Sequence, residues 1–444
     1  MDDVLTHYAM TGRTAAGIAA SLENRIRAGR LGPGEALPAV RDLAKSLRVS
    51  PATVATAYRL LRVRGLAAGD RRRGTRVRAQ GEMRHSTLAR AGAGSDLVDL
   101  ASGNPDPDLL PPLGAALKSL PLDPVLYGGS ADVPGLVRFA RGEFAADGID
   151  VEHVVVTGGG LDAIERVLRE HLRPGDRVAV EDPTSPALLD LLTTSGLVPE
   201  PVATDPEGPT PDALNAVLKR RVAALVVTVR AQNPTGACIT ETRAGVLRAV
   251  LKRHPDLLLI ENDPFGPVSG ARAVTLTGGG RSQWAIVRSL TKFLGPDLRV
   301  AIVAGDELTV ARVRARQSVG TRWVSHLLQH LALALWSDPS SGRHLARAAD
   351  TYARRRQGVI TALTAAGTEV TAASGFNVWI PVRHEGDVVE QLARRGWAVA
   401  AGERFRLKAG PGIRVTTSAL APVDARRFAT DLALALGTAV PALA

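Results

Sequence analysis

The residues best equipped for covalent chemistry lie in Ser289-Leu-Thr-Lys-Phe-Leu-Gly-Pro-Asp-Leu-Arg299. Trp284-Ala-Ile-Val leads into this stretch and Val300-Ala-Ile-Val follows it. The pattern reads as a buried strand, a turn carrying one lysine, and a second buried strand. A lysine held between buried strands is costly unless it is paired or reacts. An amine bonded to an aldehyde gives up its charge, as a lysine that holds pyridoxal phosphate does. Ser289 and Arg299 then flank Lys292 as a hydroxyl donor and a fixed guanidinium for the cofactor phosphate.

Such groups need a frame. Residues 96–444 alternate short Val/Ile/Leu runs with helical stretches, which argues an α/β fold: a mainly parallel sheet with helices on both faces. Ligands gather at the carboxyl ends of strands in such sheets, so polar groups should follow the apolar runs. They do. Val154-Val-Val precedes Thr157-Gly-Gly-Gly-Leu-Asp-Ala-Ile164, where glycines between strand and helix bring bare N–H groups to a phosphate, aided by the helix dipole. Val178-Ala-Val precedes Glu181-Asp-Pro-Thr-Ser-Pro186, and Leu225-Val-Val-Thr-Val precedes Asn233-Pro-Thr-Gly236. Leu257-Leu-Leu-Ile precedes Glu261-Asn-Asp-Pro-Phe-Gly266.

The 444 residues suit two or three domains, and 45% hydrophobic content is enough for a large core. Apolar runs stay too short for a membrane span, and Met1-Asp-Asp-Val lacks a basic-then-apolar signal. A single cysteine, Cys238, excludes an internal disulfide framework and suits the cytoplasm, and no Cys/His cluster has metal-ligand spacing. Charge is uneven: residues 1–79 hold 15 Lys+Arg against 6 Asp+Glu, a net +9 of the chain's +11. A basic module on a near-neutral body points to a nucleic-acid partner for the module.

Within that module, Ala15 to Arg30 carries Ile18, Leu22 and Ile26 at helical spacing, and Gly29-Arg-Leu-Gly-Pro-Gly34 ends the helix. Leu37 to Leu47 reads as a short helix and Arg48-Val-Ser50 as a turn. A third helix runs from Pro51 to about Arg64, with Ser50 as its N-cap. Val54, Tyr58 and Leu61 face the core; Thr53, Thr56 and Arg59 lie mostly on other faces, free to approach bases and phosphates. Gly65 to Val77 reads as a two-stranded wing with a basic tip. Gln80 to Ser95 lacks sustained apolar periodicity and is expected to be a flexible linker.

Two resemblances follow from these motifs. Leu37-Pro38, Arg41, Leu43-Ala44, Val49-Ser50, Thr53-Val54, Ala57-Tyr58, Leu61 and Gly65 resemble the GntR winged helix-turn-helix, with Ala39 in place of its usual Ser and Pro51 where many members have a basic residue. Ser289 to Arg299 resembles the S-x-[ST]-K-x-x-x-P-x-x-R stretch of fold-type I aminotransferases. The chain as a whole resembles the MocR subgroup of GntR-type regulators, which join the two.

The resemblance implies a winged helix at 1–79, a linker at 80–95 and an aminotransferase-like domain at 96–444, with a small C-terminal subdomain at 330–444. It implies double-stranded DNA as the module's partner, with Arg41 and Thr53 on its phosphates and Gly74 as the wing's close approach; Ser50, Thr56, Arg59 and Thr75 complete the expected DNA face. On the body it implies that Lys292 anchors pyridoxal phosphate and that Gly159, Gly160 and Leu161 cup the phosphate by their backbone. Asn233 would meet the phenolic oxygen, and Tyr127 would reach the phosphate from a second subunit. Arg414, in Gly412-Ile-Arg-Val-Thr, would grip an effector carboxylate, with Gly103 lining the same pocket. Three positions depart from the family pattern. Ser185 stands where an aromatic ring usually stacks on the pyridine. Asn262 replaces the carboxylate at the ring nitrogen, and Phe265 replaces a tyrosine at the phenolic oxygen. Without that carboxylate the ring accepts electrons less well, which hinders transamination but neither binding nor amine exchange. The expected function is therefore a dimeric transcription regulator that senses an amino-acid-like effector through pyridoxal phosphate. A working aminotransferase with a DNA-binding appendage, and a regulator that has lost the cofactor, are the alternatives.

Overall fold

The computed structural model describes residues 13–32, 34–63, 66–70, 74–77, 97–121, 123–278 and 280–437. The chain forms two compact units. The expected linker, 80–95, and the basic wing tip, Arg71 to Arg73, lie outside the described residues.

The N-terminal unit contains helices α1 (Ala15–Arg27), α2 (Val40–Leu47) and α3 (Pro51–Val63) and strands β1 (Ala67–Asp70) and β2 (Gly74–Val77). Thr14 caps α1, its Oγ1 accepting from the Gly17 N–H at 3.1 Å. The helix ends before the expected Arg30, because Gly29 takes φ +69°, a left-handed conformation that suits glycine. Helix α2 starts at Val40 rather than Leu37. Glu35 to Leu37 instead run along β2, with Leu37 N–H to Thr75 O and Val77 N–H to Glu35 O both 2.7 Å. Ile18, Leu22, Leu43, Val54, Tyr58 and Leu61 form the buried core, as their spacing predicts, and the Tyr58 hydroxyl donates to Pro38 O at 2.7 Å.

The body begins with β3 (Val98–Leu100), followed by β4 (His153–Thr157), α4 (Gly160–His171), β5 (Arg177–Asp182), β6 (Val198–Asp205), β7 (Gly208–Pro209), β8 (Ala224–Thr228), β9 (Leu258–Asp263), β10 (Trp284–Ser289) and β11 (Ala301–Gly305). Then come α5 (His326–Ser337), α6 (Pro339–Ala365), β12 (Asn377–Pro381), β13 (Trp397–Ala401), β14 (Gly412–Thr416) and α7 (Pro422–Leu436). The large sheet has the order β4-β11-β10-β9-β8-β5-β6-β7. β5, β8, β9 and β10 are parallel, and β11 is antiparallel to both its neighbours. Parallel strands buried on both faces read as continuous Val/Ile/Leu runs, and all five residues of β8 are buried.

The small subdomain departs from the expected boundary at 330. Leu331, Leu335, Leu345 and Tyr352 pack into the core of the large sheet, whereas Val359 and Leu363 pack against β12 and β14. The long helix α6 thus bridges both cores. The small four-stranded sheet, β12-β14-β13-β3, recruits Val98–Leu100 from the front of the body. Among the described residues no helix is long and apolar enough to cross a membrane.

Candidate cofactor and DNA sites

The strands β9 and β10 position most of the candidate groups. Residues paired across parallel strands point to the same face, so the pairing of Asn262 with Val287 and Thr228 puts these three together. Val287 and Ser289 face α4: a side-chain carbon on Gly160 would lie 3.3 Å from Ser289 Cβ and 3.9 Å from Val287 Cγ1. This is the site face. Glu261, Asp263 and Arg288 occupy the other face, as strand alternation requires. Asp263 therefore cannot stand in for the missing carboxylate at position 262.

At the phosphate end, Gly159 precedes α4 with φ +114°, and any Cβ there would sit 2.7 Å from Arg299 Nη2. Arg299 itself is left-handed (φ 49°), and its Nη2 donates to Gly158 O at 3.4 Å. Gly160 and Leu161 begin the helix, so their N–H groups have no intrahelical partner. The Ser289 hydroxyl lies 3.0 Å from that of Thr291. Thr291 adds a second hydroxyl that the sequence reading passed over, although the motif itself contains it. Gly159, Gly160, Leu161, Ser289 and Arg299 thus converge on one cradle with glycine where no side chain could fit, and this fits a phosphate.

Lys292 extends from the turn after β10 and donates to Gly103 O at 2.5 Å. Burial, together with the nearby Arg414 guanidinium, pushes its amine down to about 8. An amine in that range is available as a nucleophile near neutral pH. Arg414 is 2% exposed. It donates to Asn233 Oδ1 at 3.3 Å and to Ala101 O, and stacks over Phe405 with its carbon 5.0 Å from the ring centre. Its Nε is buried and finds no partner among the described residues. Burial lowers its pKa to about 10 despite Asp99. Gly103 has φ +71°, and a Cβ there would sit 3.0 Å from Arg414 Nη1. Asp99 holds this loop by accepting the Ala101 and Ser102 N–H groups at 2.8 and 2.9 Å. Lys292, Gly103, Asn233 and Arg414 are therefore brought together.

The ring end is different. Phe265 is 2% exposed and packs edge-on to Phe376, with ring centres 4.6 Å apart. It is a core residue and carries no hydroxyl for a phenolic oxygen, so the expected cofactor contact there is replaced by packing. Ser185 is half-buried, and its carbonyl accepts from the N–H groups of Leu188 and Leu189 at 3.1 and 3.2 Å. It caps the following helix and presents no ring for stacking. Tyr127 is 78% exposed, edge-on to Trp323 at 5.6 Å and beneath the Arg322 guanidinium. Within one chain it touches none of the groups named above.

In the N-terminal unit, Ser50 Oγ accepts the Thr53 N–H at 3.1 Å and lies 2.8 Å from the Thr53 hydroxyl. Arg41 and Arg59 are exposed, and Thr53, Thr56 and Thr75 are partly so. Gly74 opens β2 opposite Asp70. Polar side chains on the second helix of a helix-turn-helix and beside a wing are placed as DNA readers place them.

Fold and site together define a winged helix-turn-helix regulator whose body is a fold-type I aminotransferase domain of the pyridoxal phosphate type. The comparisons agree. Residues 95–432 match the family described as aminotransferase class I and II, and residues 14–77 match the bacterial regulatory proteins of the gntR family. The chain belongs to both, as a GntR-type regulator of the MocR subgroup. It is 38% identical over 428 residues to the vitamin B6 salvage pathway transcriptional repressor PtsJ of Salmonella typhimurium, covering 96% of this chain and 99% of that one. It is 28% identical to the aspartate/prephenate aminotransferase of Thermus thermophilus over 70% of this chain and 84% of the enzyme. Kynurenine aminotransferase of Pyrococcus horikoshii shares the fold, with a TM-score of 0.72 at 19% identity, over 81% of this chain and 95% of that one.

Proposed function

We propose that this regulator holds pyridoxal phosphate at Lys292, reads an amino-group effector there, and passes the result to its winged helix in the cytoplasm as a homodimer. The observation that carries the reading is the Lys292 amine, its pKa lowered to about 8, beside a glycine-lined cradle that contains Ser289 and Arg299. When bound, the cofactor supplies an aldehyde that takes up primary amines. Lys292 presents its nitrogen; Gly159, Gly160, Leu161, Ser289 and Arg299 hold the phosphate; Asn233 orients the ring and also fixes Arg414. The buried Arg414 has an unsatisfied Nε, and a bidentate carboxylate is what a guanidinium suits. An effector with an amine and a carboxylate, an amino acid, meets both requirements. Two-fold symmetry of the body would present two winged helices to paired half-sites.

A second reading is favoured by the name of the 38% identical relative, a repressor of vitamin B6 salvage. In it, pyridoxal phosphate is itself the signal, and occupancy of the cradle alone changes DNA affinity. One experiment separates the two. Duplex DNA selected from a random pool is titrated with the protein, with and without pyridoxal phosphate, then with added amino acids. A change on adding the cofactor alone supports the second reading. A change that needs an amino acid as well supports the first. DNA affinity indifferent to both overturns the function proposed for the body.

A further inference from the structure

We propose that Asp263, which faces away from the cofactor, is a positioning residue that sets the geometry of the whole site through Arg230 and Arg288. The proposal rests on the reading of Lys292 as the cofactor anchor.

Its carboxylate ends β9. Oδ1 accepts from Arg230 Nε at 2.9 Å and from the Gly266 N–H at 3.1 Å. Oδ2 accepts from Arg230 Nη2 and Arg288 Nε, both at 2.8 Å. All three side chains are nearly sealed from solvent, at 2 to 4% exposure. Asp147 closes the cluster from the rim, accepting from Arg288 Nη2 at 2.5 Å and Arg230 Nη2 at 3.4 Å. The Arg288 guanidinium carbon lies over the Phe144 ring, 4.3 Å from its centre. Two cations and two anions balance, so the cluster is neutral and every long side chain in it is held by at least two partners. Such an arrangement is rigid, because moving any member strands a buried charge.

What it joins gives it a role beyond stability. Arg230 lies three residues before Asn233, on the loop after β8. Asp263 follows Asn262 directly. The bond to Gly266 fixes the turn that carries Phe265. Arg288 precedes Ser289 and pairs with Asp263 across β9 and β10, four residues before Lys292. One carboxylate therefore ties three neighbouring segments, each of which delivers a group to the opposite face. Sites of this kind need their groups held to within about 0.5 Å, and side chains that orient ligand-holding groups without touching the ligand matter accordingly.

The test compares the wild type with Asp263→Asn, with the charge-balanced pair Asp263→Asn/Arg288→Gln, and with Lys292→Ala. Hydrogen exchange on the cofactor-free proteins is read at residues 230–235, 262–266 and 288–293. The proposal expects exchange to rise in all three segments together. It also expects pyridoxal phosphate affinity, read from the visible absorption of the bound cofactor, to fall about tenfold in whichever Asp263 variant folds cooperatively, with a changed pH midpoint of the band. The paired variant guards against simple unfolding, since it leaves fewer unmatched buried charges. A folded variant that keeps wild-type affinity and pH midpoint, or exchange that rises only around residue 263, overturns the proposal. A wild type with no band that Lys292→Ala removes overturns the reading of Lys292 and the proposal with it.

Discussion

The two ends of the candidate cleft have different histories written into them. The phosphate end keeps every group its chemistry needs: glycine where a Cβ would strike Arg299, Ser289 and Thr291 side by side, and a lysine amine shifted toward reactivity. The ring end keeps the shape and changes the chemistry. Asn262 can accept or donate a hydrogen bond but offers no charge. Phe265 fills its space against Phe376, and Ser185 caps a helix. The difference teaches that holding a cofactor and driving its electron flow are separable demands. On the function proposed above, a regulator needs the first, and Asn262, Phe265 and Ser185 are where the second would be relaxed.

The comparison can be broken at the phosphate end first. Gly159→Ala places a methyl against the Arg299 guanidinium at a φ of +114°. Pyridoxal phosphate affinity, followed by visible absorption, is expected to fall at least about a hundredfold, since backbone strain and a displaced guanidinium act together. Unchanged affinity would mean that the cradle holds something else. At the ring end, Asn262→Asp restores a carboxylate on the site face. Half-reaction rates with amino acids, measured by stopped-flow absorption, should rise about tenfold or more, with affinity little changed. A rate that stays flat would show that another feature limits the ring end.

Two smaller effects sharpen the contrast. The Lys292 amine lies at about 8 rather than its usual 10.5. The rate of cofactor attachment should therefore climb with pH and level off above about 8; a rise that continues toward 10.5 contradicts the assigned burial. Behind the sheet, Glu181 and Glu261 are buried with one carboxylate oxygen each lacking a partner among the described residues. Burial raises them to about 8 and about 7. A raised folded pKa contributes stability that is complete below about 4.5 and lost as pH rises through 7 to 8. Glu181→Gln should therefore be more stable than the wild type at pH 9, by an amount of order 1–3 kcal/mol, seen as a higher unfolding temperature, and show no such advantage near pH 4.5. Thermal unfolding followed by circular dichroism reads both. The smallest change concerns the other unit: Arg41→Ala should weaken DNA binding on all sequences and reduce the salt slope by about 1.

Much of this was legible in the sequence because it rests on local rules. Apolar runs gave the strands, and among the polar groups following them the fold brings Lys292, Asn233 and Arg414 together with Gly103. The period of two along Glu261-Asn-Asp sends Asp263 away from Asn262: on the face opposite the site, Glu261 accepts from the Leu276 N–H and Asp263 from Arg288 Nε. What escaped rests on distant pairing. Val98–Leu100 has one buried residue in three, and nothing local in it announces that it completes a sheet built from residues 377–416. Arg230 and Arg288 look like ordinary basic residues beside strands until Asp263 and Asp147 are seen between them. The boundary expected at 330 failed because one continuous helix, α6, serves two cores, and helical periodicity is the same on either side of the division.

The central claim is that Lys292 anchors the cofactor. The measurement that meets it most directly is a visible absorption titration of the purified protein with pyridoxal phosphate, run beside Lys292→Ala across pH. The account predicts a pH-dependent band in the wild type, distinct from free cofactor, that the variant lacks. A wild type without the band, or a variant that keeps it, would contradict the claim.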